Sequence, residues 1–289
     1  MLCPGLLPSQ EHELVSGLAD WLRAATTALG AVSDTPRLDA ELLAAHALAM
    51  SREEMILALP RLSCPEGADA LLARRLAHEP IAYITGTRDF WTLTLKVAPG
   101  VLVPRPDSET LIEAAIAQFE GRRPPGRILD LGTGSGALLL AALDVWREAS
   151  GVGVDASAAA IEIARANVRL CGMEARAEIR GGDWAEGIDE RFDLILCNPP
   201  YISTSAMLPR QVRDHEPASA LFAGADGLDD YRRLAAQTGD RLAAGGAAIF
   251  EIGFDQEETA GALFREAGFH VAVRRDLAGR ARALVLTRA

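Results

Sequence analysis

Ile128-Leu129-Asp130-Leu131-Gly132-Thr133-Gly134-Ser135-Gly136 is a short apolar run that continues into three alternating glycines. The apolar run is typical of a buried strand, and the glycines are typical of a loop that leads from a strand into a helix. Glycine allows positive φ and lets a ligand approach the backbone closely. The spacing differs from the Gly-x-Gly-x-x-Gly loop that binds a pyrophosphate, and Asp130 places a negative charge at the predicted loop mouth. The stretch therefore predicts a strand, a loop and a helix that bind a cationic or amino-bearing ligand.

Strand and helix patterns alternate around this stretch. Short apolar runs predict strands near residues 127–131, 151–154, 177–180, 194–197, 247–252, 270–273 and 283–286. Helical patterns fall near residues 108–119, 137–146, 157–170, 227–242 and 256–267. Such alternation is typical of a doubly wound, mostly parallel sheet with helices on both faces. We therefore expect an α/β fold built on a seven-stranded, Rossmann-like sheet.

The residues before this region have a different pattern. From about residue 10 to about residue 88 the periodicity is helical. One apolar helix face is predicted from four residues at helical spacing, Leu38, Leu42, Ala45 and Ala49. Ser51 and Glu54 have the spacing of a capping box at a helix start. A small helical domain next to a larger one is more often a recognition module than a second active site.

A β-hairpin is predicted between the two regions. Trp91, Leu93, Leu95 and Val97 alternate with polar residues, and an apolar run resumes at 101–103 after a Pro-Gly turn. We therefore divide the chain into a helical substrate-recognition domain at 1–88, a hairpin linker at 89–104 and an α/β domain at 105–289.

Composition excludes several classes of protein. The 289 residues carry a formal net charge of -11, and a non-specific grip on nucleic acid needs clustered Lys and Arg. The four cysteines are scattered and form no Cys-x-x-Cys pair, so we expect a reducing cytoplasm and no metal site. We expect no membrane span, because no apolar run reaches about 18 residues, and the first residues do not resemble a signal peptide.

Two further motifs follow predicted strands in the order that a nucleoside site needs. Asp155 ends the strand after the glycine loop, where a carboxylate can accept hydrogen bonds from a ribose diol. Asp183 and Trp184 follow the next strand, where they can accept from an exocyclic amine and cover an adenine face. A ligand with an adenine, a ribose and an amino acid end but no phosphate is S-adenosylmethionine.

The stretch 192–202, FDLILCNPPYI, ends a predicted buried strand on Asn198-Pro199-Pro200-Tyr201. Proline has no backbone N–H, so this loop offers carbonyl acceptors and few donors. The Asn198 side-chain carbonyl is a further acceptor, and the Tyr201 ring is a flat wall. Such a pocket fits a planar NH2 group, so with S-adenosylmethionine it predicts methyl transfer to a planar nitrogen.

The chain resembles the HemK/PrmC family of glutamine N5-methyltransferases over nearly its whole length. The resemblance is carried by residues 37–43 and 78–86, Phe90-Trp91, the stretch 103–109 (VPRPDSE, with Ser108 where threonine is usual), 130–136, Asp155, 182–184, 198–201, Glu216-Pro217, 224–228 and 276–279. The NPPY motif alone is shared with DNA and RNA methyltransferases. The N-terminal region together with VPRPDSE is far more specific.

This resemblance implies a class I methyltransferase fold and a role in translation termination. The substrate would be the glutamine of the Gly-Gly-Gln motif in class I peptide chain release factors, methylated on its side-chain amide nitrogen. The implied cofactor-binding residues are Gly132, Thr133, Gly134, Ser135, Gly136, Asp155, Asp183, Trp184 and Asn198. The implied catalytic and substrate-binding residues are Asn198, Pro199, Pro200 and Tyr201, with no metal and no general base. We expect a monomer with a protein partner and no direct nucleic acid or membrane partner.

Three alternatives use the same residues differently. An N6-adenine or N2-guanine methyltransferase of RNA or DNA would stack a flipped base on Tyr201, but the acidic charge counts against it. A non-catalytic cofactor-binding protein would not need Asn198 and Tyr201. A nucleotide-dependent oxidoreductase would need the pyrophosphate loop that this sequence lacks.

Overall fold

The computed structural model describes residues 17–288, which form two units that divide between Thr85 and Gly86. The first unit is helical. Its helices are α1 (Leu18–Leu29), α2 (Pro36–Ala47), α3 (Arg52–Ala58), α4 (Ala68–Leu76) and α5 (Ile81–Thr85), with a 3-10 turn at Leu59–Arg61. Ser51 caps α3 in a capping box with Glu54, as the sequence predicts. The helical prediction is therefore confirmed for the described part of this region.

The apolar face predicted for α2 is only partly right. Ala45 is buried, but Leu38 and Ala49 are exposed. Asp39, which is not one of the four predicted apolar positions, is buried and accepts a 2.8 Å hydrogen bond from Arg75 Nε. Pairing with a guanidinium offsets much of the cost of burying a carboxylate. The helix therefore turns a charged residue inward, which apolar periodicity alone does not reveal.

The second unit begins with an antiparallel hairpin of β1 (Thr87–Phe90) and β2 (Leu93–Lys96). Trp91 lies in its turn with a φ of 57°. The strand that we predicted at 101–103 does not form. Val101 and Val103 are buried, but the backbone turns at Val101, whose N donates to Ala98 O at 3.2 Å.

A seven-stranded sheet forms the centre of the second unit. Its strands are β3 (Arg127–Leu131), β4 (Ser150–Asp155), β5 (Ala177–Gly181), β6 (Phe192–Cys197), β7 (Leu242–Glu251), β8 (His270–Arg275) and β9 (Ala281–Thr287). The strand order is β5-β4-β3-β6-β7-β9-β8. The first five strands in this order are parallel, and β9 is antiparallel to both of its neighbours. The predicted α/β fold is confirmed.

Helices cover both faces of this sheet. They are α6 (Glu109–Phe119), α7 (Ala137–Val145), α8 (Ala158–Leu170), α9 (Arg210–His215), α10 (Asp229–Arg241) and α11 (Glu257–Glu266), with 3-10 turns at Pro106–Ser108 and Ala218–Ala220. One hydrophobic cluster packs α6, α7 and α8 against the sheet, and a second packs α10 and α11 against the opposite face. In residues 17–288 no helix has the length and apolarity to cross a membrane.

The strand order fixes where a ligand can bind. The chain proceeds outward from β3 through β4 to β5, then returns to the other side of β3 with β6. In such sheets the loops at the carboxyl ends part at the strand where the order reverses, and the crevice between them binds ligands. The loops after β3, β4, β5 and β6 therefore meet at one edge of the sheet.

Candidate active site

A cavity of about 280 Å³ lies at the carboxyl ends of the parallel strands. Most of the residues predicted from sequence line it: Gly132, Thr133, Gly134, Ser135, Asp155, Asp183, Trp184, Asn198 and Pro200. Gly136, Pro199 and Tyr201 lie outside its lining. Gly136 is instead the N-cap residue of α7, and Tyr201 is half-buried.

Alternating glycines shape the loop between β3 and α7. Gly132, Gly134 and Gly136 have φ values of 68°, 56° and 85°, which L side chains rarely adopt. A Cβ on Gly132 would also lie 3.0 Å from Cζ3 of Trp184. The loop therefore needs glycine both for its turn and for the close approach of the indole ring.

Asp130 does not lie at the loop mouth, contrary to our prediction. It is 1% exposed, and its Oδ2 accepts from Thr133 Oγ1 at 2.6 Å and from Leu139 N at 3.2 Å. Its Oδ1 is buried without a hydrogen-bond partner among the described residues. Burial raises the pKa of this carboxyl to about 7, although both hydrogen bonds oppose the shift. Asp130 therefore braces the loop from inside.

Asp155 lies at the end of β4 and faces the cavity. Its Oδ2 accepts from Gly134 N and its Oδ1 from Ser157 N, both at 2.8 Å. A carboxylate has about four acceptor positions, so two bonds leave capacity for a ligand. Asp155 thus holds the glycine loop and presents remaining acceptor capacity to the cavity.

Trp184 forms one wall of the cavity, and its backbone adopts the left-handed conformation. Its φ is 53°, and its Nε1 donates to Asp230 Oδ1 at 3.2 Å. Asp183, which we expected to accept from an exocyclic amine, is engaged by Arg233 Nη2 at 2.6 Å. Asp230 and Arg233 belong to α10, line the cavity and were missed, because a polar helix face carries no local sign of such a role.

Asn198, at the end of β6, borders the cavity and donates from Nδ2 to Ser108 Oγ at 3.2 Å. Tyr201 is held at both ends: its hydroxyl donates to Glu251 Oε1 at 3.3 Å, and its carbonyl accepts from Gln256 Nε2 at 3.0 Å. Burial, followed by the charge of Glu251, raises the pKa of the Tyr201 hydroxyl, so it stays protonated.

Glu251 is a further buried acid that the sequence interpretation did not single out. It ends β7, is 1% exposed and accepts from Ser108 Oγ at 2.5 Å. Burial raises its pKa to about 7, opposed by Ser108, Arg282 and Tyr201. The available signal was an acidic residue inside the apolar run that forms the end of β7.

Two long-range contacts fix the surrounding loops. Asn167 is fully buried on α8 and donates to the carbonyls of Lys96 and Ser135, both at 2.9 Å, while its Oδ1 accepts from Lys96 N. It thus joins the hairpin to the glycine loop. Glu216, one of the residues that carry the family resemblance, accepts hydrogen bonds from Arg105 Nη2 on its two carboxylate oxygens, at 2.7 and 2.8 Å.

Comparison with families and curated proteins covers both units. The family "Methyltransferase small domain" matches residues 107–214, and "PrmC N-terminal domain" matches residues 20–86. A protein of Rhodospirillum rubrum named release factor glutamine methyltransferase is 44% identical over 88% of this chain and 80% of its own length. A protein of the same name from Cereibacter sphaeroides is 41% identical over 91% of this chain and 96% of its own.

Solved structures support the fold. A methyltransferase from Pyrococcus furiosus superposes with a TM-score of 0.51 at 19% identity, covering 74% of this chain and 95% of that chain. The hMettl16 catalytic domain in complex with an RNA hairpin gives a TM-score of 0.55 at 14% identity, covering 74% and 81%. At this identity the likeness concerns the fold alone. The sequence matches extend through both units, and on that basis the chain belongs to the family of release factor glutamine methyltransferases.

Proposed function

We propose that this enzyme transfers a methyl group from S-adenosylmethionine to the side-chain amide nitrogen, N5, of the glutamine in the Gly-Gly-Gln motif of class I peptide chain release factors. One observation carries the proposal. Asn198 and Pro200 face the same cavity as the glycine loop and Asp155, in a chain whose relatives are named for this substrate. The nucleic acid alternative is not favoured by these relatives.

The residues around the cavity fit S-adenosylmethionine. Asp155 offers acceptors for a ribose diol, and Trp184 offers a flat apolar wall. Gly132 has no Cβ, which leaves space beside the Trp184 ring. When bound, the cofactor supplies an electrophilic methyl group on a sulfonium. The chain's own residues bind it, orient it and exclude water from the reacting atoms.

The NPPY loop suits an amide substrate. An amide nitrogen is a poor nucleophile, because its lone pair is delocalised into the carbonyl. The proposed acceptors for its two hydrogens are Asn198 Oδ1 and the carbonyl of Pro199, which stands between the cavity-lining Asn198 and Pro200. Both acceptors would draw electron density toward nitrogen. Holding that nitrogen in line with the methyl group supplies much of the rate.

The partner and location are part of the proposal. A net charge of -11 opposes binding to nucleic acid, so we propose a protein partner. The four scattered cysteines fit a reducing compartment, and we propose a monomeric enzyme in the cytoplasm. We also propose that the helical unit, described from residue 17 to Thr85, provides a second recognition surface for the folded release factor.

Mass spectrometry tests the proposal directly. A folded class I release factor, incubated with the enzyme and S-adenosylmethionine, should gain the mass of one methyl group, located on the Gly-Gly-Gln glutamine. A Gln→Glu variant of that loop and bulk RNA are the controls. Equal labelling of the Gln→Glu variant, or stronger labelling of RNA, would contradict the proposed substrate.

A further inference from the structure

Glu251 connects the two functional residues of the NPPY loop. Its Oε2 accepts from Ser108 Oγ at 2.5 Å, and its Oε1 accepts from the Tyr201 hydroxyl at 3.3 Å. The same Ser108 oxygen accepts from Asn198 Nδ2 at 3.2 Å. Glu251 and Ser108 are both nearly inaccessible to solvent. A continuous hydrogen-bonded chain therefore joins Asn198, Ser108, Glu251 and Tyr201.

The direction of these hydrogen bonds follows from the charge on Glu251. An ionised carboxylate has no proton to donate, so Ser108 must donate its single hydroxyl proton to Glu251. The Ser108 oxygen then acts only as an acceptor toward Asn198. The side-chain amide of Asn198 must therefore turn its NH2 toward Ser108 and its Oδ1 away from it.

The other orientation of Asn198 would oppose an amide substrate. With its Oδ1 toward Ser108, its NH2 would meet the NH2 of the substrate, donor against donor. Within residues 17–288, Asn198 Oδ1 accepts no hydrogen bond, and Asn198 borders the cavity. The oxygen is thus available to a ligand only in the orientation that Ser108 imposes.

We propose that Glu251 and Ser108 are positioning residues that set the amide orientation of Asn198, so that its oxygen faces the substrate NH2, while Glu251 also holds the Tyr201 ring in place. This inference rests on the proposed function of Asn198 and adds two residues to it. Neither residue touches the reacting atoms; both act through Asn198 and Tyr201.

Several charged and titratable groups surround Glu251. Arg282 on β9 favours its ionised form, and Asp107 opposes it. Cys197 at the end of β6, Tyr201 in the loop after it and Tyr231 on α10 also interact with Glu251. Tyr231 donates its hydroxyl to the Glu251 backbone carbonyl at 2.8 Å. Burial raises the Glu251 pKa to about 7, so the carboxylate takes up a proton as pH falls through neutrality. A protonated Glu251 can donate to Ser108, which frees Ser108 to donate to Asn198 Oδ1 and reverses the amide.

Kinetics separate this role from a purely structural one. Ser108→Ala should lower kcat by about tenfold or more, with cofactor affinity and the KM for the release factor within a few-fold of the parent. Ser108→Thr keeps the hydroxyl and should restore most of the turnover. Glu251→Gln should lower kcat and remove the decline of kcat below about pH 7. Glu178→Gln, an exposed change outside the cavity, is the matched control.

A spectroscopic measurement tests the inference without substrate. The side-chain NH2 resonances of Asn198, assigned by their loss in Asn198→Ala, should shift with a midpoint near pH 7 in the cofactor-free parent and not in Glu251→Gln. Wild-type kcat values for both Ser108→Ala and Glu251→Gln, or an Asn198 resonance that ignores pH, would overturn the inference. If the parent enzyme fails to methylate a release factor, the proposed function fails, while the resonance still reports on Glu251.

Discussion

Two aspartates beside the glycine loop have opposite roles because their burial differs. Asp130 is inaccessible and its pKa is raised to about 7, so its carboxyl serves the packing of the loop. Asp155 is partly exposed, faces the cavity and holds the loop through Gly134 N. A single carboxylate thus supports the loop and keeps acceptor capacity on the side of the cavity.

Replacing Asp155 with alanine should weaken cofactor binding. The ribose loses a charged acceptor and Gly134 N loses its partner, so the expected loss is roughly 1.5–3 kcal/mol, or about tenfold or more in affinity. Titration calorimetry with S-adenosylmethionine measures this, with the exposed Asp189→Ala as control. Unchanged affinity would remove Asp155 from the cofactor site.

Asn198→Ala should have the complementary effect. It removes an oriented acceptor that we assign to the transition state, so turnover should fall by roughly a hundredfold or more. Cofactor affinity should stay within several-fold of the parent, because Asp155 and Trp184 remain. Single-turnover methylation of a release factor gives the rate, and near-normal turnover would show that Asn198 does not orient the amide.

The sequence identified the local motifs of the site but not its long-range partners. Asn198 and Tyr201 stand in one motif, whereas Ser108 and Glu251 are 143 residues apart and meet because α6, which directly follows Ser108, packs against β7. Asp130 belongs to the correctly identified strand and glycine loop, but it was wrongly predicted to lie at the loop mouth. The side chain of a strand residue can point to either face of the sheet, and the local sequence does not decide which. Pairings between distant strands leave no trace in local periodicity.

At the scale of elements, the loop between β3 and α7 depends on two different properties of glycine. A Cβ on Gly134 meets only Gly132 O at 4.0 Å, so Gly134→Ala suffers chiefly from its positive φ. A Cβ on Gly132 also meets Trp184 at 3.0 Å. The two positions therefore separate backbone strain from displacement of the indole.

Gly132→Ala should weaken cofactor binding more than Gly134→Ala. Both substitutions place alanine in the left-handed region, at a cost of roughly 1–2 kcal/mol in stability. Only the first also pushes the Trp184 ring. Melting temperatures should therefore fall similarly, while the dissociation constant for S-adenosylmethionine should rise further for Gly132→Ala. An equal rise for both variants would argue against a Trp184 wall.

Helix and strand positions were predicted well where the apolar residues in the sequence are the ones that the fold buries. Strand β3 and helix α8 begin and end within a residue of the predicted positions. The prediction failed at 101–103, where two buried valines lie in irregular backbone, and on α2, where a buried ion pair replaces apolar contacts. At 101–103 a backbone hydrogen bond decides the local conformation, and on α2 a charged partner decides which side chain is buried. Neither effect can be read from the polarity of the side chains alone.

At the scale of the whole molecule, two buried acids make stability depend on pH. The folded-state pKa values of Asp130 and Glu251 are raised to about 7, above those of an unfolded chain. A raised acid pKa means that the folded state binds the proton more tightly, so its contribution is present at low pH and is lost as pH rises through about 7.

Neutral substitutes at these positions should therefore gain stability relative to the parent as pH rises. The difference in melting temperature between Asp130→Asn or Glu251→Gln and the parent should become more favourable from about pH 5 to pH 8. Thermal denaturation followed by circular dichroism measures this. Glu178→Gln is the control, since the pKa of Glu178 is lowered by its hydrogen bond from Arg180. A difference that is independent of pH would contradict the raised values.

The division of the chain into two units suggests where to separate them. Removing the residues before Gly86 keeps β1, β2 and Asn167 together with the glycine loop. We expect the shortened enzyme to lose its preference for a folded release factor over a short Gly-Gly-Gln peptide, because remote binding energy positions the loop. Methylation of both substrates tests this once circular dichroism shows that the α/β unit is folded.

The position of β9 has a consequence for synthesis on the ribosome. This strand follows every other described strand in the chain, yet it is inserted between β7 and β8 and carries Arg282 beside Glu251. Until residues 281–287 have emerged, β7 presents an unpaired edge, and such edges promote aggregation of nascent chains. The positive charge that offsets a buried carboxylate also arrives with this strand. A nascent chain stalled before residue 281 should therefore bind chaperones and lack the native order around Glu251 and Tyr201.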